Sequence, residues 1–559
     1  MKGLDSHSKP FLNLIFLGAA GDDVTGSATL LSIDINGEKR YGLVDAGGYQ
    51  GKSNRNYYFP VNACQIEFVI ITHAHYDHIG LLPKLYKDGF RGHIYITEQA
   101  KRQGNLILQD AANINLGNSE YGRCGGIKLN KTRRRYENKK KKAINCRDIK
   151  NIDSAIAQMD EIIQSPLYGM EDVEGLKSLY EVVKPNTLFS IYEDRLFAKM
   201  IPTTHQNGAV QVELYLKEDD GELGILFSGD IGPDNSLLYK QNRDFVNPRI
   251  DYALLESLHG VDDPLETLEE SILKLEKIIK DGIKNHKTVF LSGFSLDRNS
   301  MLVYLINRMK QKGMRFKAYF DAPMALKENS YYQEYYLREQ MIRKKSSDEE
   351  LLSSLWFKDL GDNPFGLEGF DVIKKIDEHT QLLNTSEPKV VITSSANGNG
   401  GRVVNFFDKF IQDSNAIFVF CGWIYPESPS QILHDANQGE IVDFGTTRYI
   451  KRCQTYRLHG LSSHGGLQEI YSLLYNYPKI KEVILNHGEF NSKKDVEDAI
   501  REEFDVISHI PFLYDAYSVS KDSIRKLEYS EMIEIFKPAL FTFNMDYILA
   551  ELSENEEEA

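Results

Sequence analysis

The segment "THAHYDHIG" (72–80) constrains this chain most. It places His73, His75, Asp77 and His78 within six positions, directly after the apolar run "FVII". A buried strand that ends in imidazoles and a carboxylate needs a fold in which other strand ends bring partners to the same edge. Candidates are easy to find. "GLVDAGG" ends at Asp45, "IPTTHQNG" at His205, "LFSGDIG" at Asp230 and "VILNHGE" at His487. Each is an apolar run, then Asp or His, then a turn containing glycine. Glycine lets the backbone turn sharply and keeps such a site open. In an extended loop side chains alternate, so His73, His75 and Asp77 are expected on one side and His78 towards a neighbouring position. Imidazole and carboxylate are ligands suited to a catalytic metal with an open coordination position. Asp45 is placed to orient a ligand from behind.

The rest of the chain reads as an α/β protein. "FLNLIFLGAA", "SATLLSIDING" and "KRYGLVDAGG" are strands, and "INGEK" between the last two is a hairpin turn. The first run resembles the core of a signal peptide, but "DD" follows at once, so a buried strand is expected. Residues 98–190 read as helical and charged. "DYALLES", "KTVFLSGFS", "FKAYFDAPMALKE" and "AIFVFCGW" begin βα units. At 559 residues the chain calls for two or three domains. No apolar run is long enough to span a bilayer, so no membrane partner is expected. Five scattered cysteines without CxxC spacing fit a reducing cytoplasm. The net charge of -15 argues against generic nucleic-acid binding. Yet eight Lys or Arg fall between Lys131 and Lys142, either a solvated loop or an RNA-backbone contact. In "SSANGNGGR" the small residues Ser394, Ser395 and Asn397 leave backbone N–H groups free to face a phosphate, with Arg402 behind them. A plain strand-to-helix turn fits there too. His459 fits either a phosphate contact or packing.

In order and spacing these motifs resemble the metallo-β-lactamase superfamily, and within it the β-CASP nucleases. "VDAG", "THAHYDH", "TTHQNG" and "FSGD" are similar to the first four lactamase-fold motifs. "LLESLHG", "LSSHGG" and "NHGE" look like the β-CASP motifs A, B and C. The resemblance implies an αββα sandwich with an inserted α/β β-CASP domain. It places the lactamase domain at 1–240 and 455–545, the insertion at 241–454 and an acidic tail at 546–559. It implies two divalent metal ions, zinc first and manganese as the alternative. His73, His75 and His205 would hold one, Asp77, His78 and His487 the other, and Asp230 would bridge. A hydroxide activated by both metals would attack the phosphodiester of single-stranded RNA, internally or from the 5′ end. Asp77, His464 and Glu256 would carry the chemistry, with His464 at the scissile phosphate or the leaving group and Glu256 orienting it. A histidine at motif C goes with RNA-processing members. The sequence departs from the family at "HQNGAV", at "SLHG" and at Gly466, all near the substrate pocket rather than the ligands. The rival readings are a DNA nuclease, a small-molecule hydrolase and a non-catalytic partner in an RNA-processing complex. The aromatic-rich segment 505–549 fits core packing or a subunit interface, so a homodimer stays open.

Overall fold

The computed structural model describes residues 12–50, 55–117, 166–218, 221–241, 245–260, 266–294, 296–348, 351–352, 355–445, 447–542 and 544–546. The basic run 131–142 and the acidic residues after 546 lie outside the described residues.

Two sheets face each other. The first has eight strands in the order 524–526, 516–519, 12–16, 29–35, 38–44, 66–70, 93–96 and 180–182. The second has seven, in the order 507–509, 482–486, 252–256, 221–227, 210–218, 196–202 and 188–192. Strand alternation sorts the side chains into layers. Leu12, Leu14 and Phe16 join Met200, Val212, Ile225 and Leu254 in the core between the sheets. Their neighbours Ile15 and Leu17 turn the other way, onto Leu82, Leu85, Leu108 and Phe536 of the outer helices. On the far side, Leu226, Leu255 and Leu485 pack on Ile470, Val496 and Ile500 of helices Leu467–Asn476 and Phe490–Phe504. The result is helix, sheet, sheet, helix. Cutting Phe16 to Ala would cost this core about 3–5 kcal/mol.

The hairpin expected at "INGEK" is present: Asp34 pairs with Lys39 across Asn36 and Gly37, both at positive φ. The N-terminal apolar run is a buried strand, Leu12–Phe16. The reading of 98–190 as helical needs correction. The helix Glu98–Gly117 is there, but Tyr180–Val182 and Leu188–Tyr192 are strands, one at the edge of each sheet. Edge strands are half-exposed and mixed in composition, so a charged stretch conceals them.

A third sheet is parallel throughout, in the order 371–372, 317–321, 389–393, 288–292, 416–421 and 454–458. Helices cover both its faces. Val289, Leu291 and Val419 pack with Met301, Leu302 and Leu305. Phe290, Phe418 and Phe420 pack with Phe406, Phe407 and Leu433. The strand Tyr252–Glu256 belongs to the second sheet, so the sheet boundary lies beyond the expected break at 241. That strand is buried along its whole length between two parallel neighbours, and its composition alone does not say which sheet it joins.

Candidate metal centre

The ligand-type side chains gather at one edge of the sandwich, where strands of both sheets end. His73 lies just past Ile66–Ile70 and is extended through His75. The chain then makes one helical turn, Tyr76–Ile79, with His75 at its N-cap. Period-two alternation therefore holds only as far as His75. Asp77 and His78 are delivered by the helical turn, which is how adjacent residues reach one cluster. The turn is held by its carbonyls: Tyr76, Asp77 and His78 accept from the backbone N–H of Gly48, Ser27 and Ala46, at 2.8–2.9 Å. Gly47 makes that approach possible, since a Cβ there would lie 1.7 Å from the Asp77 carbonyl oxygen. Gly232 plays the same part beside His205. Glycine at these ends serves close backbone contact more than turning.

The convergence is tight. His75 Nδ1 faces His73 Nε2 at 3.2 Å and His205 Nε2 at 3.0 Å. Asp230 Oδ2 lies 3.3 Å from His73 Nε2 and 3.4 Å from His205 Nε2. Its other oxygen, Oδ1, lies 3.1 Å from His78 Nε2 and 3.7 Å from His487 Nε2. His78 Nε2 and His487 Nε2 are 3.3 Å apart, and Asp77 Oδ2 is 3.8 Å from His487 Nε2. Asp230 thus offers one oxygen to each group.

The nitrogens on the far sides of several rings are engaged. His78 Nδ1 donates to Asp45 Oδ2 at 2.7 Å, and His205 Nδ1 to the Ser463 carbonyl at 2.9 Å. Thr72 fixes Asp45 in turn, through its N–H and its hydroxyl, both at 2.8 Å. These bonds mean that the neutral rings of His78 and His205 direct an Nε2 lone pair into the cluster. Lone pairs facing lone pairs at about 3 Å repel unless a cation lies among them. Zn–N bonds of 2.0–2.1 Å in a tetrahedron give N···N edges of about 3.3 Å, close to the spacings seen. Asp230 Oδ1, buried, has no hydrogen-bond donor among the described residues. The donor set therefore fits two divalent cations.

Comparison with known proteins agrees. The family profile "Metallo-beta-lactamase superfamily" matches residues 21–134, "Beta-Casp domain" 300–433, and "Zn-dependent metallo-hydrolase RNA specificity domain" 448–511. The chain belongs to the β-CASP family of the metallo-β-lactamase superfamily. It is 25% identical over 487 residues to Ribonuclease TTHA0252 of Thermus thermophilus, covering 86% of this chain and 93% of that protein. It is 22% identical to Transcription termination factor FttA of Cenarchaeum symbiosum and 23% identical to that of Methanocaldococcus jannaschii. Those matches cover 84% and 81% of this chain, and 66% and 63% of the relatives, so the chain spans just under two thirds of the termination factors' length.

In this β-CASP chain Glu256 and His464 meet beside the cluster although they lie far apart in sequence. His464 Nδ1 donates to Glu256 Oε1 at 2.6 Å, while Glu256 Oε2 accepts from the Ile231 N–H. The electrostatics divide the histidines. Burial, then His78, drives His73 down to about 3, and burial holds His205 well below its ordinary range. Burial also opposes charge on His487, but Asp230, Asp77 and Glu256 outweigh it and raise the group to about 10. His78 rises well above its usual value against burial, held up by Asp230 and Asp45. Without metal ions the carboxylates draw protons onto these two rings; cations would take their place.

The sequence thus named His73, His75, Asp77, His78, His205, Asp230, His487, Asp45, Glu256 and His464, and the fold brings all ten together. It treats the other candidates differently. Arg402 pairs with the buried Asp321 and donates to the carbonyls of Ile373 and Lys374. Asn397 Oδ1 accepts from the Tyr425 N–H at 3.1 Å, the Ser395 carbonyl accepts from Ser292 Oγ at 2.8 Å, and the Ser394 carbonyl from the Val403 N–H at 2.9 Å. None of the four lines the cavity beside the metal cluster; His459 does. Sequence reasoning passed over His259, whose Nε2 lies 3.3 Å from Ser462 Oγ and whose ring lies 6.1 Å from that of His464. Its signal was there: a histidine three residues after the strand-ending Glu256.

Proposed function

We propose that this chain hydrolyses phosphodiester bonds of single-stranded RNA with a pair of divalent metal ions, zinc being the fitting choice and manganese its alternative. The observation that carries this reading is the meeting of two ligand groups around Asp230 with the Glu256–His464 pair at their side. The near full-length likeness to a ribonuclease and the match to an RNA-specificity profile support RNA over DNA or a small molecule.

Metal ions held there would activate water and neutralise charge on the phosphate oxygens. The chain's residues do the rest. Asp45 fixes the His78 ring and the Ser463 carbonyl fixes His205, so the ligand lone pairs are oriented before metal arrives. Glu256 holds Nδ1 of His464, which leaves Nε2 to carry a proton to the leaving oxygen. Burial works against the charged His464 ring, yet Glu256 outweighs it and raises the group above its ordinary value, which favours the protonated ring. Residues after Glu256 and up to Leu458 form the inserted β-CASP domain in this reading, and the remainder the lactamase domain. The free thiols Cys64, Cys421 and Cys453 accord with a reducing cytoplasm.

The test is cleavage of 5′-labelled single-stranded RNA and its DNA equivalent by the purified chain, beside His75→Ala and Asp77→Ala. RNA cleavage by wild type alone supports the reading, and product lengths assign internal or terminal attack. Metal binding with both nucleic acids left intact would overturn it.

A further inference from the structure

The ligand histidines are not all held alike. His78 and His205 are fixed through their outer ring nitrogens, which bond to Asp45 and to the Ser463 carbonyl. His487 has no such bond. Its Nδ1 is buried without a hydrogen-bond partner among the described residues, and the nearby Glu256 Oε1 lies at 3.6 Å, beyond hydrogen-bond reach. The direction of this ring is therefore set by its backbone. That backbone is strained: His487 has a φ of 51°, in the left-handed region that residues other than glycine rarely adopt. Such a conformation lasts only where its surroundings impose it.

The His487 carbonyl accepts from the Ser257 N–H at 3.2 Å, and the His487 N–H donates to the Ala19 carbonyl at 2.8 Å. Ala19 lies in the turn between the first two strands, residues 17–28, and is itself left-handed, with a φ of 53°. One strained residue thus hangs on another, and the turn has to be held from elsewhere. Arg55 holds it through Asp23 Oδ2 at 2.5 Å, and Pro511 through the Gly21 N–H at 2.8 Å. Neither belongs to the segment that bears His487. The helix Phe490–Phe504 does, because it starts three residues after that ligand. Its Phe490 N–H donates to Asp22 Oδ1 at 3.0 Å, and its Lys493 Nζ donates to the Gly21 carbonyl at 2.8 Å. The ligand and the helix that follows it therefore grip the same turn, at Ala19, Gly21 and Asp22.

Lys493 stands in a costly place. It is 0% exposed, and its bond is to a neutral carbonyl. Burial lowers it to about 8, against the attraction of Asp23 and Asp22. A buried charge is normally paired closely, and a cation in the first turn opposes the helix dipole. Packing does not ask for it, since Val496 and Ile500 supply the apolar face of this helix. What the ammonium gains is the Gly21 carbonyl. We propose that Lys493 is a positioning residue for the metal ligand His487. By pinning Gly21 it keeps the Ala19 carbonyl where it fixes the His487 backbone, and so sets the affinity of the Asp77–His78–His487 group for its cation. The proposal rests on the two-metal reading of the cluster and adds the device that aims a ligand whose ring has no outer partner.

The test is zinc titration of the metal-stripped full chain against a chelating indicator. Wild type is expected to take two equivalents, and His487→Ala to lose one of them. Lys493→Met keeps the length of the side chain without its charge. It is expected to take one equivalent as wild type does and to bind the other about 10- to 100-fold more weakly. In the His487→Ala background the same substitution is expected to leave the remaining equivalent unchanged, because its effect runs through His487. Lys389→Met is the control for deleting a buried lysine. Lys389 is also 0% exposed, donates to the Thr385 carbonyl at 2.7 Å and lies in the third sheet, so both equivalents are expected to keep wild-type affinity. Asp22→Ala changes an exposed side chain and is expected to weaken the same equivalent by less; it carries the test if Lys493→Met does not fold. Wild-type affinity for both equivalents in the variant that carries the test, or a loss that persists in the His487→Ala background, would overturn the positioning role and leave the two-metal reading standing. A wild type that takes no second equivalent would overturn both.

Discussion

Just beyond strand Ile66–Ile70, ring nitrogens and carboxylate oxygens converge on one another at 3.0–3.4 Å in a spacing that fits divalent cations. Beyond strand Lys389–Thr393, the polar residues of a glycine-rich loop have found protein partners: Arg402 in Asp321, Asn397 in Tyr425, the Ser395 carbonyl in Ser292. Both segments follow buried strands and both carry residues able to bind something. The difference is what the rest of the protein leaves unsatisfied. A chain that buries acceptors against acceptors spends stability and recovers it when a cation binds. A chain that pairs an arginine with a buried aspartate has used that arginine for folding.

The contrast can be broken at either end. Asp230→Asn should have the largest effect. It weakens one oxygen for each ligand group, so the chain should retain fewer than two metals and lose RNA cleavage by about 10²- to 10³-fold or more. Metal analysis alongside initial rates checks this. His464→Ala should cost about 10²- to 10⁴-fold in kcat while metal content stays at the wild-type level, because its contact is with Glu256 and it lies outside the two ligand groups. Asp45→Asn is milder. It removes the acceptor that orients His78, and metal affinity should fall about 10- to 100-fold, read by competition with a chelator. Arg402→Gln should behave oppositely to all three. It leaves the buried Asp321 with His379 as its remaining close side-chain partner, so stability should fall by about 3–5 kcal/mol in denaturant unfolding while metal content is retained. If Arg402→Gln instead unfolds normally but weakens RNA binding, the loop is a phosphate site and the comparison fails.

Much of this was legible in the sequence, for a local reason. Ligands at strand ends can be read one strand at a time, and "HxHxDH" places four of them within one segment. The hairpin at Asn36–Gly37 was legible for the same reason. What escaped depends on distance or on a change of period. The helical turn Tyr76–Ile79 interrupts an alternation that seemed to run on to Asp77. The tie between Arg402 and Asp321 spans 81 residues and leaves no mark in "SSANGNGGR". The edge strands at 180–182 and 188–192 are too short and too exposed to show a pattern. His259 was overlooked because a single histidine carries no periodicity; only the cavity it lines gives it meaning.

The most direct measurement of the central claim is metal titration of the chelator-stripped chain, with RNA cleavage followed at each addition of zinc or manganese. The account predicts no cleavage by the stripped chain, and activity that rises to a plateau at two equivalents per chain and is absent throughout in Asp230→Asn. Cleavage that survives complete stripping, or a plateau reached without Asp230, would contradict it.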